Sequence, residues 1–341
     1  MELSYRWKLS DLEKVEKNGA RVFSCFSCGG GSTMGYKLAG FDVIGNCEID
    51  PATNEIYKRN NHPKYNFCCD IRDFAALGEY PEELNNLTIL DGSPPCTTFS
   101  MAGKREDSWG KMKTFAEGNV KQRLDDLFFP FIDLAGKLQP KVVVAENVKG
   151  LILKNARGYV SEIIKEFDRA GYKCQLFLLN AASAGVPQKR ERVFFVCQRK
   201  DMNFPKLNLA FSERPVTFGE FRSEKGKKTS ERAAAILSRR ISTDKTIADI
   251  NKRLCNKTSE FTNSIFHDNE VCRTLASSGT YYRYYDAMAL SDMDCAHISS
   301  FPEDYDFGSK GAQFICGMSV PPLLMARIAH EIDVQWLRAD K

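Results

Sequence analysis

Short apolar runs recur along residues 20–200, each bounded by glycine, proline or charged positions. The runs at 22–26, 43–47, 67–69, 87–90, 142–145, 176–179 and 193–196 lack the alternation of a half-exposed strand and predict strands buried on both faces. Between most of them the apolar positions take helical spacing, as at 124–138 and at 160–170, the latter closed by Gly171 as a C-cap. This alternation predicts an α/β fold with a mostly parallel sheet covered on both faces. Such sheets bind ligands outside the carboxyl ends of their strands, so candidate chemistry is sought there.

After residue 200 the pattern breaks down, and 199–271 is polar, basic and weakly periodic. Order resumes at 290–300, where Ser291 and Asp294 stand at capping-box spacing. A final helix is predicted from about 322 to 337, with Leu324, Ile328 and Ile332 on one face. The expected organisation is a large unit at 1–198 completed by 273–341, with a smaller one at 199–272.

The chain has 341 residues, 43% of them hydrophobic and 27% charged, a balance that excludes wholesale disorder. No stretch reads as the roughly 20 consecutive apolar residues of a membrane span. Residues 1–17 are polar and charged, unlike a secretory signal. In a reducing compartment the 12 cysteines are expected to stay free thiols. Cys25 and Cys28 form the only C-x-x-C, and the histidines (His62, His267, His297, His330) are scattered, so no metal site is expected. The net charge of +4 is uneven: 199–272 holds 15 Lys and Arg against 10 Asp and Glu, which leaves 4 − 5 = −1 elsewhere. Arg222, Lys225, Lys227, Lys228, Arg239 and Arg240 suit either a solvated face or a polyanion such as nucleic acid.

Chemistry gathers at the predicted strand ends. The first strand runs into Ser27-Cys28-Gly29-Gly30-Gly31-Ser32 and a short helix, a turn that lets a ligand approach the backbone. Strict G-x-G-x-x-G fails in every register, so a nucleoside bearing a carboxylate fits as well as a dinucleotide. Glu48 after the second strand suits ribose hydroxyls, and Asp70, read as ending the third, suits an adenine amino group. The fourth strand leads through Asp91-Gly92-Ser93-Pro94-Pro95 to Cys96, a thiol on a proline-stiffened turn and a candidate nucleophile. Glu146 leaves the fifth strand at the same edge, where desolvation would suit it to general acid catalysis. Arg190 and Arg192 share one face by alternation, as if to hold a carboxylate and a carbonyl oxygen.

Taken in order, these residues resemble the DNA (cytosine-5) methyltransferases over nearly the whole chain. Phe26-Ser27-Cys28-Gly29-Gly30-Gly31 with Gly35 is similar to the family's cofactor motif, and Pro95-Cys96-Thr97-Thr98-Phe99-Ser100 to its nucleophile motif. Glu146-Asn147-Val148, Gln188-Lys189-Arg190-Glu191-Arg192, Arg273-Thr274-Leu275, Phe301-Pro302 and Gly317-Met318-Ser319-Val320-Pro321 match further signatures. Cys28, Thr97 and Met318 depart from the usual glycine, glutamine and asparagine.

The resemblance implies a Rossmann-like S-adenosylmethionine-dependent sheet with a target-recognition domain at 199–272. It implies transfer of a methyl group to carbon 5 of a cytosine flipped out of duplex DNA. Cys96 would attack carbon 6, Glu146 would protonate or hydrogen-bond ring nitrogen 3, Arg192 would steady the base's oxygen, and Arg190 would help to position the site. The cofactor would contact Phe26, Gly29, Gly31, Glu48, Ile49, Asp70, Ile71, Pro95, Leu127, Ser319 and Val320, with the C-terminal helix packed beside the first strand. Residues 97–123, rich in glycine and carrying Lys104, Arg105, Lys111, Lys113, Lys121 and Arg123, would form a basic lid. The expected partners are double-stranded DNA and a restriction endonuclease sharing the target, for a monomeric, cytoplasmic, bacterial or phage enzyme without a membrane association. Two other readings stand beside this one: a tRNA cytosine-5 methyltransferase, and a regulator that binds DNA or cofactor without catalysis.

Overall fold

The computed structural model describes residues 3–95, 127–153, 157–256 and 263–338, together with the backbone of 113–114 and 121–122. Cys96, most of the proposed lid and Thr97 lie outside the described residues. Strands β1 (Arg21–Cys25), β2 (Asp42–Cys47), β3 (Tyr65–Phe67) and β4 (Ile89–Gly92) come first, and β5 (Lys113–Thr114) pairs with β6 (Lys121–Gln122) apart from them. Then follow β7 (Val142–Val148), β8 (Tyr172–Asn180), the short β9 (Gln188–Lys189) and β10 (Glu191–Arg199).

Seven of these form one sheet in the order β3-β2-β1-β4-β7-β10-β8, parallel except for β10, which runs antiparallel to both neighbours. Alternation sends successive side chains into two cores. Val22, Ile89, Val142 and Phe194 enter one, while Phe23, Leu90, Val143 and Phe195 enter the other, and all eight are fully buried. Double burial is why these strands read as continuous apolar runs. The chain winds outward from β1 to β3 and then returns to β4 on β1's other side, which opens a crevice at the carboxyl ends of β1 and β4.

Helices α1 (Gly31–Leu38), α2 (Pro51–Asn61), α3 (Ile71–Ala75), α4 (Phe128–Leu138) and α5 (Arg157–Arg169) cover the sheet. Asp70 does not end β3, which stops at Phe67. It caps α3, accepting from the Arg72 N–H at 2.8 Å, because a short carboxylate satisfies an orphan helix donor better than it continues a strand.

The smaller unit carries α6 (Glu231–Leu237), α7 (Ile247–Cys255), β11 (Ser264–Phe266) and β13 (Tyr281–Arg283), with β12 (Cys272–Arg273) pairing instead with β9. Its own core joins Ala233, Leu237, Ile247, Ile250 and Ile265 to Tyr282, with Tyr284, Ala287 and Ala289 packed against it. That core therefore reaches beyond residue 272.

Helix α8 (Asp292–Ile298) begins with the capping box: Asp294 N–H donates to Ser291 Oγ, and Ser291 N–H to Asp294 Oδ2, both at 2.9 Å. Helices α9 (Ala312–Met318) and α10 (Pro322–Ile332) follow. The sequence offered no membrane-length apolar run, yet 312–337 has the length of one and an 18-residue window of mean hydropathy 1.3; 78% of that window is buried within the protein, where it forms a core layer. Helix α10 packs on α1, the helix after the first strand. A Cβ on Gly35 would stand 2.6 Å from both Met325 Cβ and Pro322 O, so only glycine permits that approach.

The expectation of free thiols fails at one pair. Cys174 and Cys197 lie directly opposite in the β8–β10 register and form a disulfide, because cross-strand partners bring their Cβ atoms within bonding reach. Cys25, Cys28, Cys47, Cys68, Cys69, Cys255, Cys272, Cys295 and Cys316 are not disulfide-bonded.

Candidate active site

Cys25, Gly92 and Ala145 are in register across β1, β4 and β7, so the residues that follow leave the sheet level with one another. After β1 the chain turns sharply, with left-handed φ angles of 53° at Phe26, 45° at Cys28 and 79° at Gly30. Cys28 thus takes a conformation that favours glycine, the residue the family usually has there. Gly29 and Gly31 serve close approach instead: a Cβ on Gly31 would meet the Val320 carbonyl at 2.1 Å, and one on Gly29 would meet Ile315 Cγ2 at 2.3 Å. The Tyr305 hydroxyl donates to the Gly29 carbonyl at 2.6 Å, fastening the C-terminal layer to the turn.

Glu48 is buried beside this turn and accepts from the Cys28 N–H at 2.8 Å and the Asp50 N–H at 3.1 Å. Three asparagines brace it from behind. Asn46 donates to Ser27 Oγ and to Asn54, both at 3.0 Å, and Asn66 donates to Asn46 at 2.7 Å. Ile71 and Leu127 are buried in the core against which Phe26 packs, Ile49 and Pro95 are partly exposed, and Ser319 and Val320 are buried against the glycines. Met318, by contrast, is 45% exposed.

On the far side, Glu146 Oε1 meets Arg192 Nε at 2.9 Å, with both side chains mostly buried. The antiparallel course of β10 makes this pair: its amino end lies at the edge where the parallel strands have their carboxyl ends. Asn147 donates to the Pro94 carbonyl at 2.9 Å and pins the turn that precedes Cys96. Among the described residues, the Arg190 guanidinium meets no carboxylate. It donates to the carbonyls of Leu275 at 3.1 Å, Gly317 at 3.0 Å and Ser319 at 3.1 Å. Burial pushes it down to about 9, with Arg192 adding to the effect. It joins the start of β10 to the C-terminal segments.

Sequence reading passed over Asn46, Asn147 and Tyr305. Asn147 lay inside a quoted motif without a role, whereas the partners of Asn46 and Tyr305 come from elements that no local pattern connects.

A family model described as C-5 cytosine-specific DNA methylase matches residues 20–333. The chain belongs to this family. Type II methyltransferase M.FnuDI of Fusobacterium nucleatum is 36% identical over 191 residues, 56% of this chain, and the match spans half (50%) of that relative's length. Type II methyltransferase M.AplI of Arthrospira platensis is 28% identical over 325 residues, covering 92% of this chain and 85% of the relative. In fold, the chain is similar to a DNA modification methyltransferase encoded within a prophage (E. coli), with TM-score 0.68, 18% identity, and coverage of 93% and 99% of the two chains. It is also similar to DNMT2 of Spodoptera frugiperda, with TM-score 0.62, 15% identity, and coverage of 92% and 99%.

Methylases of this family use S-adenosylmethionine, and the turn fits it. Ser319 Oγ is buried beside Gly29 with no hydrogen-bond partner among the described residues, so a polar donor or acceptor stands ready at the glycine turn. Glu48 follows β2 and Asp70 caps α3, so two further carboxylates lie past the strands that neighbour β1.

Proposed function

We propose that this methylase transfers a methyl group from S-adenosylmethionine to carbon 5 of a flipped-out cytosine in a specific duplex DNA sequence, through a covalent adduct with Cys96. The observation that carries the reading is the Glu146–Arg192 pair level with the glycine turn, beside a Pro94 turn held by Asn147. A cytosine ring is a poor nucleophile at carbon 5. Thiolate addition at carbon 6 breaks its aromaticity, and the ring needs an acid at nitrogen 3 to keep negative charge from accumulating. Glu146 serves that need, and Arg192 orients it while leaving guanidinium donors for the base's oxygen; once carbon 5 carries the methyl group, loss of its proton to a base re-forms the ring double bond and expels the Cys96 thiolate.

Phe26, Gly29, Gly31, Glu48, Ile49, Asp70, Ile71, Pro95, Leu127, Ser319 and Val320 would hold the cofactor, which supplies an electrophilic methyl group when bound. Residues 1–198 with 273–341 form the catalytic unit, and 199–272 forms the target-recognition unit, whose packing extends to Ala289. The working partners are duplex DNA and a restriction endonuclease sharing the site, for a monomer acting in a bacterial cytoplasm.

The test is transfer of labelled methyl groups to duplex DNA and to tRNA offered together. Label on duplex DNA, abolished in Cys96→Ala, supports the proposal. Label on tRNA alone, or a Cys96→Ala protein with undiminished activity, overturns it.

A further inference from the structure

Asp91 lies within β4 and is 2% exposed. A carboxyl in the middle of a buried strand is unfavourable unless donors meet it. Ser24 of β1 donates to Oδ2 at 2.8 Å, Tyr36 of α1 donates to Oδ1 at 3.2 Å, and the Ser32 hydroxyl hydrogen-bonds it as well. These donors bracket the glycine turn, with Ser24 before it and Ser32 and Tyr36 after it. Asp91 itself stands three residues before Pro94, in the strand that leads to the cysteine-bearing turn.

We propose that Asp91 is a positioning residue that clamps both ends of the glycine turn onto β4 and so sets the cofactor site. The inference rests on the reading of that turn as the S-adenosylmethionine site and deepens it. An ionised carboxylate accepts from all three hydroxyls; a protonated one must place its own proton, and one hydroxyl then loses its acceptor. Burial pushes the Asp91 carboxyl up to about 7, against the hydrogen bonds from Ser24 and Tyr36 and with the Glu146 charge adding to the rise. The clamp is therefore complete above about pH 7 and looser below it. The titratable groups facing Asp91 are Cys25 on β1, Tyr36 on α1, Tyr57 on α2 and Glu146 on β7. Burial holds the thiol and both phenols above their ordinary ranges, so they stay neutral between pH 6 and 8. Glu146 remains unaltered in an Asp91→Asn variant, which separates the two carboxyls.

The experiment is calorimetric titration of S-adenosylhomocysteine into wild type and Asp91→Asn between pH 6 and 8, with melting curves alongside. Wild-type affinity rises several-fold with pH, while the variant binds about tenfold more weakly at pH 8 and shows a flat profile, as loss of charge-assisted hydrogen bonds requires. At saturating cofactor its kcat stays within about twofold. Stability moves the other way. A folded pKa raised above the unfolded value weakens wild type as pH rises from about 4 to 7, so the variant's melting temperature gains on wild type over that window. Equal affinities with the same pH slope overturn the clamp, as does a loss of affinity matched at every pH by a loss of melting temperature. Should Asp91→Asn fail to fold, Tyr36→Phe decides: about threefold weaker binding supports the clamp, and unchanged binding overturns it. A wild-type protein that binds no S-adenosylhomocysteine overturns the cofactor reading itself, and the clamp with it.

Discussion

The carboxyl edge of the sheet and the small unit around α6 and α7 treat charge in opposite ways. At the edge, buried polar side chains tie elements together: Arg190 holds three carbonyls in two segments, Asp91 joins β1 and α1, and Asn147 holds the turn after β4. In and around the small unit most charges sit in solvent in single pairs, as in Arg214–Glu220 at 2.6 Å and Lys227–Asp292 at 2.6 Å. Such exposed pairs contribute about 0–1 kcal/mol each. A preorganised edge performs one reaction with fixed geometry, whereas a weakly braced surface can change side chains without losing the fold. On the proposed reading, the difference separates a common chemistry from an individual target.

The strongest way to break the comparison is at Glu146. Glu146→Gln keeps the size of the side chain but removes the acid, and kcat for methyl transfer is expected to fall by about 10²–10⁴ while cofactor binding persists. Single-turnover methylation with a parallel cofactor titration measures both. Loss of cofactor binding to the same degree would place Glu146 in the fold rather than in the chemistry.

Among the described residues of the small unit, Arg283 makes a buried ionic joint, and it supplies the next largest effect. Arg283 is fully buried, donating to Asp286 at 2.7 Å and reaching Asp294 of α8 at 3.4 Å. Removing one member of a buried pair strands the other, so Arg283→Met is expected to cost about 3–5 kcal/mol, seen as a lower denaturation midpoint. DNA binding should fall while the cofactor site, built on other elements, still binds. A variant that loses both together would show that the two regions are not independent.

How much was readable follows the same division. The seven strands of the main sheet were legible as apolar runs, but burial on both faces holds only for the inner ones, since the edge strands β3 and β8 are partly exposed; the glycine turn was legible because its residues are local. Asp70 was misplaced because a carboxylate after an apolar run marks a strand end and a helix cap alike. For Arg190, alternation gave the face it shares with Arg192 but not the carbonyls of residues 275, 317 and 319 that fold over it. The Cys174–Cys197 disulfide depends on antiparallel register, which neither cysteine announces. The small core drew Tyr282 from beyond the expected boundary because 199–272 has too little periodicity to show where its packing ends.

A smaller effect tests how rigid the edge must be. Gly31→Ala would bring a Cβ to 2.1 Å from the Val320 carbonyl, and this neighbour is backbone that cannot swing aside. The C-terminal layer must shift, at a cost of about 1–3 kcal/mol, and cofactor affinity is expected to fall at least as far as stability does. Melting curves with and without S-adenosylhomocysteine separate the two quantities.

The smallest effects belong to the exposed cations of the small unit, and they sharpen the comparison most finely. Lys225, Lys228 and Arg239 are exposed on the basic segment. A side chain that only neutralises a phosphate releases about one counterion, so its removal weakens DNA binding across all sequences and lowers the salt slope by about one. A side chain that reads a base edge costs about 1–3 kcal/mol at the cognate site and relaxes specificity at one position. Binding of Lys228→Ala to cognate and scrambled duplexes across a salt series distinguishes these, and the phosphate pattern is expected. A change confined to the cognate duplex would make Lys228 a specificity residue, and would show that this exposed surface holds its side chains as firmly as the sheet edge holds its own.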